Sequence, residues 1–127
     1  MRRSRSLILI VATAAIAATA ACGRSSGKQA SAIAGGDADR GKAAIARYGC
    51  PACHTIPGIE GANAMVGPPL TQIAIRQYLG GHLQNTPQNM VRWIQHPQQI
   101  DPKNAMPELG VTDADAKDIV AYLYTLK

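Results

Sequence analysis

The stretch Gly49-Cys50-Pro51-Ala52-Cys53-His54-Thr55 constrains this chain more than any other part of it. Two thiols two residues apart, with an imidazole directly behind them, admit three chemistries: a redox dithiol, half of a zinc site, or covalent attachment of haem. A redox dithiol needs the motif between a strand and a helix in an alternating βαβ pattern, and that pattern is missing. Structural zinc needs four ligands, usually including a second tight pair. The other histidines, His82 and His96, stand apart from one another and from any cysteine. Haem fits best. Each cysteine adds across one vinyl group of the porphyrin, and His54 is then delivered to the iron on the tethered face.

The rest of the chain has little means of folding without such help. Its 127 residues include no phenylalanine, one tryptophan and four tyrosines. Arg2, Arg3 and Arg5 precede an uncharged run from Leu7 to Ala21, which is short of the roughly 20 apolar residues of a membrane span. Residues 1–21 therefore read as an export signal, with an uncleaved N-terminal anchor as the alternative. Gly23 to Gly36 is rich in Gly, Ser and Ala without an apolar period, so 22–36 reads as a flexible tether. That leaves 37–127 as one domain of about ninety residues, a size at which an apolar core alone is marginal. Of 13 basic residues, the three arginines leave with the signal, so 10 face 8 acidic ones. This near-neutral balance, with no basic cluster interleaved by aromatics, excludes a nucleic-acid partner.

The spacing predicts a helix from Asp37 to Tyr48, with Asp37 as N-cap and Gly49 as C-cap. A short helical stretch is expected over Thr71 to Tyr78. Thr86-Pro87 starts another helix, whose face carries Met90, Trp93 and Ile94 and which Pro97 closes. Pro97 to Gly110 reads as loop. Thr112 caps a last helix, with Asp113 and Asp115 in its first turn and Ile119, Tyr122, Leu123 and Leu126 along one stripe. No segment alternates as a strand would. The class is all-α, with helices and long loops that a large rigid cofactor would order.

Haem attachment calls for a second axial ligand. Met65, Met90, Met106, His82 and His96 are the candidates. Met90 shares a helical stripe with Trp93 and Ile94 and belongs to the core. Met65 lies too near the motif to wrap to the opposite haem face. His82 and His96 sit at element ends among Gly and Pro. Met106, in Lys103-Asn104-Ala105-Met106-Pro107 and stiffened by Pro102 and Pro107, suits a thioether presented at fixed geometry.

Two resemblances follow from these residues. Thr19-Ala20-Ala21-Cys22-Gly23 resembles a bacterial lipoprotein signal, with Thr19 where Leu is usual; it implies lipidation of Cys22 and a periplasmic, membrane-held protein. Cleavage at Ala18-Thr19-Ala20 is the competing reading. Gly41, the Cys50–His54 cluster, Val66-Gly67-Pro68-Pro69-Leu70, Pro97, Met106 and the final helix together resemble a class I monohaem cytochrome c. Asn85 to Ile94 and Asn104-Ala105-Met106-Pro107 look most like the cytochrome c domain fused to some haem-copper oxidase subunits II. The resemblance implies that the Pro68 carbonyl accepts the Nδ1 hydrogen of His54, that Leu70 packs on the porphyrin, and that Arg76 helps neutralise a haem propionate. Trp93 stands where many relatives place Tyr beside the ligand methionine. Gly41 and Tyr122 resemble a close crossing of first and last helices, a ring lying against backbone.

The implied function is electron carriage rather than enzymatic catalysis. An iron with both axial positions filled passes single electrons between redox partner proteins of a respiratory chain, a terminal oxidase being the expected acceptor. A fixed electron-entry subunit of an oxidase or dehydrogenase is one alternative. A haem sensor or peroxidase, with Met106 off the iron, is another. Nothing in the chain suggests a small-molecule substrate site.

Overall fold

Short-range capping chemistry sets most of the helix ends. The computed structural model describes residues 27–127; the expected export signal and Cys22 lie outside the described residues. Helix α2, Ala38–Arg47, begins where the Asp37 carboxylate accepts the Arg40 N–H at 2.9 Å, and Gly49 leaves it with φ 74°. Helix α3, Pro87–Gln95, begins where Thr86 Oγ1 accepts the Asn89 N–H. Helix α5, Asp113–Leu123, begins with the same bond from Asp115 N–H to Thr112. In each case a polar side chain satisfies an N–H that has no partner inside its helix.

Four expectations need correction. The supposed flexible tether is helical over residues 27–34, designated α1, with Ala30 and Ala34 buried. Its Lys, Gln and Ala residues are good helix formers, and Ala30 and Ala34 share a face. The chain also contains an antiparallel hairpin, β1 Tyr78–Leu79 with β2 Leu83–Gln84. Two-residue strands are too short to show alternation, and Gly80 and Gly81, at φ 55° and 78°, make the turn. The helix expected over Thr71–Tyr78 shrinks to a 3-10 turn at Ile73–Ile75. There the Asn85 amide takes the carbonyls of Ile73 and Arg76, both at 2.8 Å, so a tertiary tie replaces helical bonding. Finally, Pro97–Ile100 forms a one-turn helix, α4, rather than loop.

The core gathers Ala44 and Ile45 of α2, Met90 and Ile94 of α3, and Ala116, Ile119, Val120, Ala121 and Leu123 of α5, with Ile56 and Ile73 from the loops. Met90 is 2% exposed, as its place on the α3 stripe predicts. Helix α5 is buried on more sides than one amphipathic stripe requires, because α2 and α3 both pack on it. Where α2 crosses α5 the backbones nearly touch: a Cβ on Gly41 would lie 1.9 Å from the Asp118 carbonyl oxygen. Gly41 therefore rests directly against the α5 backbone. Tyr122, one turn further along α5, donates its hydroxyl to the Pro57 carbonyl at 2.7 Å, over Gly58.

Asp118 locks this crossing. Its buried carboxylate accepts the Asp37 N–H at 2.6 Å and the Arg40 guanidinium at 2.7 and 2.9 Å. No helix among the described residues is long and apolar enough to cross a membrane.

Candidate functional site

The Cys-x-x-Cys-His segment leaves α2 through the left-handed Gly49 and forms a 3-10 turn, Cys50–Ala52. The His54 N–H closes the turn on the Cys50 carbonyl at 3.1 Å. The chain then loops out through Ile56 and returns alongside the motif. Gly67 donates its N–H to the Cys53 carbonyl at 2.7 Å, and Leu70 donates to the Thr55 carbonyl at 2.8 Å. Pro68 and Pro69, between them, have no N–H to give. Their carbonyls remain free to accept.

One of those carbonyls meets His54. The Pro68 oxygen lies 2.8 Å from His54 Nδ1. A carbonyl only accepts, so Nδ1 carries the proton and Nε2 keeps its lone pair. The ring is also fixed sterically, since a Cβ on Gly67 would lie 2.4 Å from His54 Cε1. Gly67 was quoted in the sequence only as part of a motif; its contact with a ring thirteen residues earlier has no local signal.

Both cysteines of the motif are free thiols and half-buried. Burial pushes the Cys50 thiol above its ordinary pKa. A redox dithiol works through a thiol whose pKa is lowered, so this environment speaks against that chemistry. Among the described residues no three His, Cys, Asp or Glu side chains are placed to hold a metal ion, which leaves zinc without a ligand set. Two unpaired thiols at this spacing, beside an imidazole with its Nε2 lone pair available, fit a covalently attached haem.

The other expected site residues lie in the loops and on α3. Leu70 is half-buried against the core. Arg76 turns one guanidinium nitrogen toward the loop, donating to the carbonyls of Pro69 and Thr71, the latter at 2.8 Å. Trp93 lies over Gly80, where a Cβ would come within 2.3 Å of its ring, and stacks on His82 with centroids 6.2 Å apart. Met106 is half-buried in its own loop, its N–H bound to Asn104 Oδ1 at 2.9 Å. Met65, at 81% exposure, is a surface residue.

The tertiary roles of two residues escaped the sequence reading. Asn85 spends its whole side chain on tertiary contacts, donating to Ile73 and Arg76 and accepting the Tyr124 hydroxyl at 3.1 Å. Asp115 accepts from Tyr48 at 2.7 Å and from Arg47 at 2.6 Å, tying the residues just before the motif to the start of α5. The Tyr48 hydroxyl, then Thr112 and Arg47, hold the Asp115 carboxyl below its ordinary pKa.

Comparison with known proteins gives two findings. The family profile described as Cytochrome c matches residues 38–127. The chain is 31% identical over 91 residues to a protein named cytochrome c oxidase subunit 2 from Alkalihalophilus pseudofirmus. That match takes in 71% of this chain but 26% of the relative's length. No solved structure matches significantly.

Proposed function

The chain belongs to the cytochrome c family, electron-transfer proteins with covalent haem c, and from that premise we propose an exported carrier that passes single electrons between respiratory partners, a terminal oxidase as acceptor. Cys50 and Cys53 would form the two thioether bonds, and His54 Nε2 and the Met106 thioether would be the axial ligands. The haem supplies a one-electron iron couple. The protein's part is to set that couple and to close the iron to other ligands.

The observation that carries this reading is the His54–Pro68 bond. It selects the tautomer that ligates through Nε2, orients the ring, and raises its basicity toward a metal. Arg76, beside the Pro69 and Thr71 carbonyls, keeps its remaining N–H donors for a propionate. Leu70 offers an apolar contact to the porphyrin.

The test is an absorption spectrum of the haem-loaded protein, oxidised and reduced, beside Met106→Ala. The wild type is expected to show low-spin haem and the methionine-to-ferric-iron band, and the variant to lose that band with a lower potential, because thioether ligation favours the ferrous state. A wild type that is already high-spin, or that binds carbon monoxide at neutral pH, would remove Met106 from the iron and favour the sensor or peroxidase reading.

A fixed electron-entry subunit is the second reading, favoured by the oxidase-subunit name of the relative. Stable co-purification with an oxidase would select it over a diffusing carrier. Lipidation of Cys22 would hold either form at a membrane on the periplasmic side, and intact mass of the mature protein tests it.

A further inference from the structure

We propose that His82 is a positioning residue for the Met106 loop and acts on it through Asp101. The inference rests on the reading of Met106 as an iron ligand and adds a residue that holds it there. It begins at the hairpin tip, where Gly80, Gly81 and His82 connect β1 to β2. The His82 ring stacks on Trp93 of α3 at an interplanar angle of 19°. Trp93 is itself seated against Gly80, so the tip is fixed to the α3 surface. From there His82 Nε2 reaches Asp101 Oδ2 at 3.4 Å.

Asp101 passes this contact into the loop. Its second carboxylate oxygen accepts the Lys103 N–H at 3.0 Å, and its carbonyl accepts the Asn104 N–H, also at 3.0 Å. Asn104 Oδ1 then accepts the Met106 N–H at 2.9 Å. Each link therefore fixes the backbone that makes the next one. Pro102 and Pro107 narrow the dihedral freedom on either side of it. Trp93, Gly80, His82, Asp101 and Asn104 form one connected path from a packed helix to the backbone of Met106.

The path has a measurable consequence. A loop that opens leaves the iron position vacant for part of the time, and an added ligand binds only that fraction. Exogenous imidazole is therefore the probe. A half-exposed polar contact contributes modestly, so His82→Ala should raise the apparent imidazole affinity of the ferric protein about two- to fivefold. Asp101→Asn keeps the acceptor for Lys103 while removing the charge, and should give a similar rise. Because both changes break one contact, the double variant should exceed neither single by more than experimental error. Arg40→Ala, which weakens the distant α2–α5 crossing, should leave imidazole affinity unchanged although it lowers resistance to denaturant.

Unchanged imidazole affinity in His82→Ala and Asp101→Asn, in a wild type with the methionine band, would overturn the role of His82 and leave Met106 as ligand. Additive effects of the two changes would also overturn it, since they would act by separate routes. A wild type without the band, with imidazole affinity that Met106→Ala does not alter, would overturn the ligand assignment and the positioning role with it.

Discussion

The α2–α5 crossing and the loop shell between Gly49 and Asn85 are held by different means. The crossing buries small and branched apolar residues, Ala44, Ala116, Val120 and Ala121 among them, at 1% exposure or less. Asp118, the one buried charged residue among those described, has its bonds satisfied there. The loop shell contributes few residues to the core and is fastened by hydrogen bonds that cross between segments: Gly67 to Cys53, Leu70 to Thr55, His54 to Pro68, Asn85 to Ile73 and Arg76. Close packing resists any added atom, whereas a polar tie fails one bond at a time. The helix pair therefore acts as a frame, and the loops as a mount whose precision depends on individual side chains.

Substitutions that add volume should separate the two regions most sharply. Gly41→Val drives a side chain into the Asp118 carbonyl and should lower global stability by about 3 kcal/mol, read from the denaturant midpoint of the haem-loaded protein. Gly67→Ala should lower it less, by about 2 kcal/mol, while displacing the His54 ring and visibly altering the haem spectrum and potential. If Gly67→Ala left the spectrum intact, the mount would be more forgiving than its geometry implies.

Acid provides a subtler probe of the frame. The hydrogen bond from Arg40, against the opposing effect of burial, holds the Asp118 carboxyl below its ordinary value of about 4. A group depressed on folding stabilises fully above its unfolded pKa and loses that contribution as pH falls through its folded pKa. Asp118→Asn should therefore cost about 1.5 kcal/mol at neutral pH, and its difference from wild type should shrink below about pH 4. Denaturant titrations across that range check it. The smallest effect belongs to the mount: Tyr122→Phe removes one hydroxyl donor from the Pro57 carbonyl and should cost about 1 kcal/mol without changing the methionine band.

The same division governs what the sequence discloses. Thr86-Pro87 and Thr112 with Asp115 announce helix starts because a cap acts over three residues, and the structure has both. Cys50, Cys53 and His54 are legible because covalent attachment fixes their spacing. Asp118 shows no local sign of its role, since its partners Asp37 and Arg40 lie about eighty residues away. The hairpin escaped because two residues cannot alternate, and α1 because an Ala- and Ser-rich run reads alike as linker or as helix until Ala34 finds its place against the core. The seat of the Trp93 ring on Gly80 and His82 was equally illegible, since a turn thirteen residues earlier makes it.

The saturated side chain of Asn85 also bears on how the protein ages. Spontaneous deamidation would replace two donors by a carboxylate oxygen facing the carbonyls of Ile73 and Arg76, turning attractions into repulsions at the centre of the mount. That reaction proceeds by attack of the following backbone nitrogen, and the Thr86 N–H is already bound to the Gln84 carbonyl at 2.9 Å. The contacts that make Asn85 hard to replace thus also restrain the nitrogen that would degrade it, and lasting chemical integrity of this residue is built into the local fold.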